Sequence, residues 1–380
     1  MDFLTNIDFW FLVITSLAKT VFVLGLVLGM VSYTVYAERR VSAFIQDRLG
    51  PNRVGWQGLI QPIADAVKLL IKEDFTPSNV NTFYYWLAPA LGIGAVIVSL
   101  AVIPFGSSLD LDFIFNRILG RGFGPIPLVI ANVNVGILFI FAISSLAVYG
   151  IVLAGWSANS KYPFLGGIRS SSQMISYELA LGLSVVPLFL VYGKLNLVDI
   201  VQYQIENGWL LFPPFLHGVF SIGRNLLWIS ACISFVIFSV SMFAETNRLP
   251  FDLPEAEQEL VGGYNTEYSS MKFALFFLGE YAAMIAGSAA IVTLFLGGWH
   301  LFPVGTWGTG GDGLAGLFWG LVSIGVFFAK VAVLLFIFIW VRWTLPRFRY
   351  DQLMKLGWIW FFEIALVNIF FAAGILAFTH

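Results

Sequence analysis

Long apolar runs separated by short polar segments dominate the chain. Runs close to the length of about 20 residues that spans a bilayer occur at residues 10–36, 86–105, 128–154, 172–192, 226–243, 273–297, 317–341 and 357–378. The first run is itself long enough to span, so we expect a membrane helix there and no cleaved signal. The pattern predicts an all-α polytopic membrane protein in which residues 1–380 form a single integral membrane domain with eight transmembrane helices.

A shorter amphipathic helix is predicted between the first two spans. After a Gly-Pro-Asn turn at 50–52, apolar residues recur at helical spacing: Leu59, Ile63, Val67 and Leu70. The other side of this helix carries Asp65 and two lysines, so the helix should lie along the membrane surface. It would serve either as a plain interfacial anchor or as the lip of a lateral opening for a lipid-soluble molecule.

Basic residues are divided unequally between the predicted loops. Fourteen Lys and Arg lie in the loops after the odd-numbered spans, four lie in the opposite loops, and Lys19 and Lys330 lie within spans. The positive-inside rule places the more basic loops in the cytoplasm or its equivalent. Because the number of spans is even, both termini are expected on the outer side.

Composition argues against a redox centre held by this chain. It is 59% apolar and 11% charged, with one cysteine, Cys232, and three scattered histidines at positions 217, 300 and 380. These residues cannot supply the ligands of an iron–sulfur cluster or a bis-histidine haem. We therefore expect no cofactor bound by this chain, and no redox chemistry by the chain in isolation.

The segment between the fifth and sixth spans is unusually acidic. Residues 245–267 hold one arginine, Arg248, and six carboxylates: Glu245, Asp252, Glu255, Glu257, Glu259 and Glu267. Crowding and lost hydration favour the protonated form of such groups, so we expect some of them to exchange protons near neutral pH. The spacing of Asp252, Pro254 and Glu255 also predicts that a short helix begins here. The alternative is an ordinary solvated acidic loop, but an excess of acid on the basic side is unexpected.

Ionisable residues inside the spans are costly and by default suggest function. Glu280 lies in the sixth span and Lys330 in the seventh; we expect both to face the bundle interior, where they would pair or relay protons. Glu178, in the fourth span, either shares that role or is satisfied by Ser and Tyr hydroxyls for packing alone. Lys19 and Glu363 are weaker candidates, because their positions allow them to reach toward the membrane surface.

Four segments on the predicted inner side carry long motifs that together resemble one family. The motifs are ERR at 38–40, RLGPNRVG at 48–55, SYE at 176–178, RLPFDLPE at 248–255, TEY at 266–268 and PRFRYDQ at 346–352. The chain resembles the membrane subunit of proton-pumping NADH:quinone oxidoreductase (respiratory complex I) that lies beneath the peripheral arm, called the H subunit in bacteria and subunit 1 in mitochondria. The resemblance spans residues 38–352.

This resemblance implies that quinone is the substrate and that it enters a chamber bounded by the first span, the amphipathic helix and the sixth span. The chamber entrance would involve Glu38, Arg39, Arg40, Arg48 and Asp65. A charged path would link quinone chemistry to proton translocation through Glu178, Glu245, Glu255, Glu257, Glu259, Glu267 and Glu280. The positions of Asp252 in the acidic stretch and Lys330 in the seventh span add these two residues to the proton-coupling candidates. The carboxylate that some members of the family place in the third span is missing from this chain.

The resemblance also implies partners and a location. We expect peripheral quinone-module subunits that carry an iron–sulfur cluster, antiporter-like and small membrane subunits, lipid and quinone as partners, and no nucleic acid. The location would be an energy-transducing membrane, the bacterial plasma (inner) membrane, with the chain acting as one subunit of the enzyme.

Two other functions stay open at this point. The membrane anchor subunit of a membrane-bound hydrogenase shares several of the motifs, although the intact RLGPNRVG segment and the amphipathic helix favour a quinone protein. A free-standing ion transporter would show inverted repeats or broken helices near the midplane, and the sequence has no matched pair of Gly/Pro-interrupted spans.

Overall fold

The computed structural model describes residues 7–112, 122–212, 222–254, 257–303 and 313–379. Eight spans in these parts of the chain are long and apolar enough to cross a membrane. They are α1 (Ile7–Ile45), α3 (Thr82–Leu100), α4 (Gly136–Ser157), α5 (Lys161–Tyr192), α7 (Ile222–Glu245), α9 (Ser270–Phe295), α10 (Leu314–Thr344) and a last span made of α11 (Tyr350–Lys355), a π-helical turn (Leu356–Phe361) and α12 (Phe362–Thr379). The predicted all-α class with eight spans is confirmed.

Short elements connect these spans. They are α2 (Gln61–Ile71), α6 (Leu197–Asn207), α8 (Glu257–Leu260), single 3₁₀ turns at Trp56–Gly58 and Gly263–Asn265, and an antiparallel pair of two-residue strands, β1 (Ser108–Leu109) and β2 (Ile126–Pro127). Helix α2 is the predicted amphipathic helix. A short helix does lie in the acidic stretch, at α8, but Glu255 of the proposed cap lies outside the described residues.

Helix α5 begins eleven residues earlier than the predicted start at 172, so most of the expected polar loop is helical. Its serines turn back onto their own helix, with Ser171 Oγ and Ser172 Oγ donating to the carbonyls of Ile168 and Arg169, which satisfies them without breaking the helix. At Gly166 an added Cβ would come within 2.9 Å of the Gly263 and Tyr264 backbone. Close packing against the 3₁₀ turn therefore explains the helical conformation of a segment whose composition suggests a loop.

Helix α9 is the centre of the bundle. Over an apolar stretch of 18 residues, 72% of the residues of α9 are buried, against 11% for the corresponding stretch of α1. Helix α9 packs against α1, α3, α7 and α10. Small residues such as Ala282, Gly287 and Ala290 line its buried faces and let neighbouring backbones approach closely. Any group carried by α9 is therefore held by the most constrained element of the molecule.

Helix α2 lies at the edge of the bundle, with its polar side turned inward. It contacts α1 and α9, yet none of its eleven residues is buried. Ile63 and Val67 are 63% and 46% exposed, whereas Asp65 and Lys68 line a cavity between α2 and the bundle. The apolar stripe is thus available to lipid, as the predicted interfacial position requires.

Candidate functional site

A partly open cavity of about 680 Å³ lies between α1, α2 and α9. Apolar side chains form much of its wall, including Val31 and Val35 of α1 and Phe277 and Leu278 of α9. Its size and mostly apolar lining with a few convergent polar groups are typical of a small-molecule site.

Four of the five residues predicted for the chamber entrance line this cavity: Glu38, Arg39, Arg48 and Asp65. Arg39 and Asp65 form an ion pair of 2.7 Å between Nη1 and Oδ2, joining α1 to the middle of α2. Arg40 is not among the lining residues. Its guanidinium donates to Gln57 Oε1 at 3.0 Å and lies 5.7 Å from the centroid of the Tyr36 ring, so it fixes the turn that precedes α2.

Glu38 is the most buried acid of the cavity, with 6% of the residue exposed. It forms an ion pair with Arg342 of α10, and the Tyr281 hydroxyl of α9 donates to Glu38 Oε2 at 2.6 Å. A buried carboxylate needs such partners, because an unpaired one would lose its hydration without compensation.

A second buried ion pair lies next to the first. Arg248 Nη2 is 3.2 Å from Glu280 Oε2, with 5% and 10% of the two side chains exposed. The same guanidinium lies 4.1 Å from the centroid of the Tyr281 ring, and the Tyr264 hydroxyl donates to Glu280 Oε1 at 2.9 Å. Glu38, Tyr281, Arg248, Glu280 and Tyr264 therefore form a continuous chain of contacts from the cavity into the acidic stretch, which we call the charged network.

Two small cavities extend from the end of the charged network, with volumes of about 60 and 70 Å³. The first is bordered by Tyr264, Glu280 and Glu245, and the second by Glu245 and Ser144. Each has room for water beside polar groups. Glu245 thus borders the same space as Glu280, although the two residues lie in different spans.

Glu178 lies on α5, half-buried and close enough to Glu245 for their charges to repel. The neighbouring hydroxyls of Ser176 and Tyr177 donate to the carbonyls of Ser172 and Leu353. They are engaged with backbone, and this does not favour the interpretation of Glu178 as an acid satisfied by these hydroxyls.

The remaining acids of the stretch differ in their surroundings. Glu259 is 54% exposed and pairs with Arg169 at 2.7 Å and Arg347 at 3.8 Å, and the hydrogen bond from Arg169 lowers the pKa of its carboxyl. The expectation of proton exchange near neutral pH therefore does not extend to Glu259. Asp252 lies close enough to Glu280 for their charges to repel. The backbone carbonyl of Glu267 accepts a hydrogen bond of 2.6 Å from the Tyr85 hydroxyl.

Two of the predicted acids cannot be placed in the network. Glu255 lies outside the described residues, as does the side chain of Glu257, whose backbone begins α8.

Lys330 has different partners from those expected. Its Nζ donates to the carbonyls of Leu296, Gly298 and His300 at 2.6, 3.0 and 2.5 Å and lies 4.2 Å from the centroid of the Trp209 ring. Leu296 is 16 residues beyond Glu280, which is roughly 24 Å along a helix axis. The predicted pairing of Glu280 with Lys330 was therefore wrong: the lysine binds the carbonyls that follow the C-terminal end of α9.

Four residues of the charged network and its ion pairs were not identified as site residues from the sequence: Arg248, Tyr264, Tyr281 and Arg342. Arg248 entered only as the single arginine of the acidic stretch and as part of a motif, and Arg342 only as a basic residue of an inner loop. The position of Tyr281 directly after Glu280 was a weak signal for a site residue. Tyr281 and Arg342 are 243 and 304 positions from Glu38, so these contacts can be recognised only in the folded structure. Within the described parts of the chain, no group of three His, Cys, Asp or Glu side chains is arranged to hold a metal ion.

Comparisons with known proteins agree on one family. A model of the family described as NADH dehydrogenase matches residues 18–373. The chain is 46% identical over 360 residues to the first of two NADH-quinone oxidoreductase H subunits of Geobacter metallireducens, covering 95% of this chain and 96% of the relative. It is 47% identical over 342 residues to the H subunit of Protochlamydia amoebophila (90% and 91% covered) and 45% identical over 365 residues to that of Leptospira biflexa (96% and 95% covered).

Proposed function

We propose, from the premise that this chain belongs to the family of NADH-quinone oxidoreductase H subunits, that its large cavity houses quinone and that its charged network couples quinone reduction to proton translocation. As a member of this family the chain is a multi-pass membrane subunit of an enzyme complex. The observation that carries the proposal is that Glu38, Arg248 and Tyr281 line the cavity and also belong to the network that reaches Glu280.

The cavity has the chemistry that a quinone requires. A quinone combines an apolar tail with a head group whose two carbonyl oxygens accept hydrogen bonds. The apolar walls from α1 and α9 suit the tail, and Arg39 and Arg248 supply N–H donors of the kind that bind carbonyl oxygens.

Reduction of a quinone brings two electrons, and therefore negative charge, beside the network, and this charge is neutralised only when two protons arrive to complete the quinol. Glu38 and Glu280 each have an arginine partner, and in a low-dielectric site a new charge disturbs each pair in turn. Tyr281 touches both pairs, since its hydroxyl binds Glu38 and its ring faces Arg248. Because these contacts are continuous, a change of charge at one group changes the electric field at the next. The small cavities at Glu245 would carry this change of charge from the network toward Glu178.

The electrons must come from outside this chain. Its single cysteine and three scattered histidines lack the ligand pattern of a redox cluster or haem, so we assign the redox centres to peripheral subunits that carry an iron–sulfur cluster. Antiporter-like and small membrane subunits would respond to the charge change at the end of the charged network that lies away from the cavity. The bacterial relatives and the basic inner loops support a bacterial plasma membrane location with both termini outside.

The relatives are H subunits of NADH-quinone oxidoreductases, which favours a quinone-linked complex over a hydrogenase anchor.

The test removes the hydroxyl that links the two ion pairs. In the assembled complex, Tyr281→Phe should lower the coupled rate of quinone reduction about ten-fold, because a hydrogen bond to a buried charged group is worth about 1.5–3 kcal/mol. The measurement is quinone reductase activity together with protons translocated per electron in sealed vesicles.

Tyr192→Phe is the matched control, since it removes a buried hydroxyl that donates to the Leu294 carbonyl at the other end of α9. A Tyr281→Phe enzyme that reduces quinone and pumps as well as the Tyr192→Phe enzyme would contradict the proposal.

A further inference from the structure

The position of α2 depends on polar contacts, because this helix buries no residue of its own. Its middle is tied to α1 by the Arg39–Asp65 ion pair. The turn before it is tied to α1 by the Tyr36 hydroxyl, which donates to the Gln57 carbonyl at 2.6 Å. A helix with no hydrophobic core beneath it moves when such ties are weakened, and α2 forms one wall of the large cavity.

The C-terminal end of α2 is tied to the start of α9. Ser270 Oγ lies 3.1 Å from the Leu69 carbonyl and 2.9 Å from the Lys72 carbonyl, and helix-terminal carbonyls of this kind lack partners within their own helix. Ser270 is 4% exposed and has a φ of 53°, a left-handed conformation that is unfavourable for serine and persists where surrounding contacts impose it.

The segment after α2, residues 72–81, which we call the strap, is held by Lys272. This lysine is 2% exposed, and its Nζ donates to Thr76 Oγ1 at 2.7 Å and lies 3.1 Å from Asp74 Oδ1. It also lies 4.1 Å from the centroid of the Trp86 ring and 5.1 Å from that of Tyr85, both on α3. A buried ammonium is tolerated only with such partners, so the contacts that satisfy Lys272 also fix the strap between α9 and α3.

We propose that Lys272 is a positioning residue for substrate entry: by holding the strap, it sets the position of α2 and the width of the cavity beside it. The inference rests on the proposed function of the cavity as the quinone site. Lys68, Leu69 and Leu70, at the C-terminal end of α2, line the cavity within a few residues of the strap. Movement of the strap therefore moves cavity-lining side chains directly, whereas the charged network is held by α1, α9, the segment after α7 and the 3₁₀ turn at Gly263–Asn265.

The proposal predicts a change in quinone affinity with little change in the chemical step. In the assembled complex, Lys272→Met should raise the KM for quinone about five-fold, at the lower end of the coupling between separate sites, while kcat stays close to that of the unmodified enzyme. Lys272→Arg, which keeps the cation, should recover most of the affinity. Lys72→Met makes the same chemical change on an exposed side chain of the strap and should leave KM unchanged.

A second measurement follows the helix itself. Spin labels at Val67→Cys on α2 and Leu28→Cys on α1, two exposed positions, in a Cys232→Ser background, should give a broader or shifted distance distribution in the Lys272→Met enzyme. If Lys272→Met does not assemble, the Asp74→Asn, Thr76→Val pair loosens the same tie from the strap side and carries both measurements. An unchanged KM together with an unchanged distance distribution would overturn the proposal, as would a loss of kcat with unchanged KM.

A labelling experiment distinguishes failure of the proposed quinone site from failure of the role proposed for Lys272. A photoreactive quinone analogue should label peptides of α1, α2 or α9 in the unmodified complex. If it labels none of them, the proposed quinone site is wrong. If it labels them equally in the unmodified and Lys272→Met enzymes at subsaturating concentration, the cavity assignment stands and the role of Lys272 is wrong.

Discussion

At the scale of single residues, the buried acids of the cavity and the charged network are notable for their partners. Glu38 has Arg342 and Tyr281, and Glu280 has Arg248 and Tyr264. Removing one member of a buried pair costs about 3–5 kcal/mol, because the other charge is left buried without compensation. Buried pairs are seldom the most stable solution for a fold, so their presence here favours a functional reason for keeping them.

The exposed pair between Glu259 and Arg169 allows a prediction about pH. The pKa of Glu259 is lowered from its ordinary value of 4.5, so the stabilisation from this pair is present above pH 4.5 and is lost as the pH falls through the lowered pKa. Since Glu259 is 54% exposed, the effect should be less than about 1 kcal/mol. Glu259→Gln should therefore lower the thermal unfolding temperature slightly at pH 7, and the difference should vanish on acidification.

Glu206→Gln serves as its control, because the Glu206 carboxylate accepts from Gln202 rather than from a guanidinium. A stability difference for Glu259→Gln that persists or grows at low pH would contradict this interpretation of the pair.

At the scale of helices, the backbones of α3 and α4 approach each other closely at Gly150. A Cβ at Gly150 would lie 2.9 Å from the Ala88 carbonyl oxygen and 3.1 Å from the Gly92 nitrogen, both backbone atoms that cannot rotate away. Gly150→Ala should therefore destabilise the protein by about 1–3 kcal/mol, measured as a lower unfolding temperature in mild detergent.

Gly182→Ala is the comparison, since an added Cβ there meets no atom within 4 Å. Alanine should be neutral or slightly stabilising in this helix. Equal unfolding temperatures for the two variants would show that α3 and α4 do not pack as closely as described.

The two lysines inside the spans have partners that the sequence does not reveal. Lys330 donates to carbonyls beyond the end of α9, and Lys19 donates to the Val129 carbonyl at 2.8 Å. Each cation therefore binds carbonyls of a neighbouring segment. Sequence located both residues correctly within spans, but their partners depend on which segment of the chain lies beside them.

At the scale of the whole molecule, the topology makes a prediction about the two membrane faces. If both termini lie outside, as proposed, a protease-cleavable tag appended after residue 380 should be removed by protease added to intact spheroplasts. The same tag inserted in the strap at Ser78, an exposed position, should be cut only after the membrane is opened. Cleavage of the strap tag in intact spheroplasts would reverse the assigned orientation.

The sequence predicted features that depend on residues close together in the chain and missed features that depend on residues far apart in it. The eight spans, α2 and the cavity-lining residues Glu38 and Asp65 follow from local periodicity and from specific motifs. The early start of α5, the role of Tyr281 and the partners of Lys330 depend on packing between segments that are distant in the chain. Periodicity records which face of a helix is apolar, but it does not record which neighbour covers that face.

The exposed apolar stripe of α2 has a consequence for how the enzyme responds to its surroundings. Ile63 and Val67 are 63% and 46% exposed and do not line the cavity, so lipid acyl chains can cover this outer side of the cavity wall. In the proposed quinone site, annular lipid would then form part of the wall of the pocket. Bilayer thickness and fluidity become determinants of turnover, and delipidation during purification acts on this subunit as a mutation of α2 would.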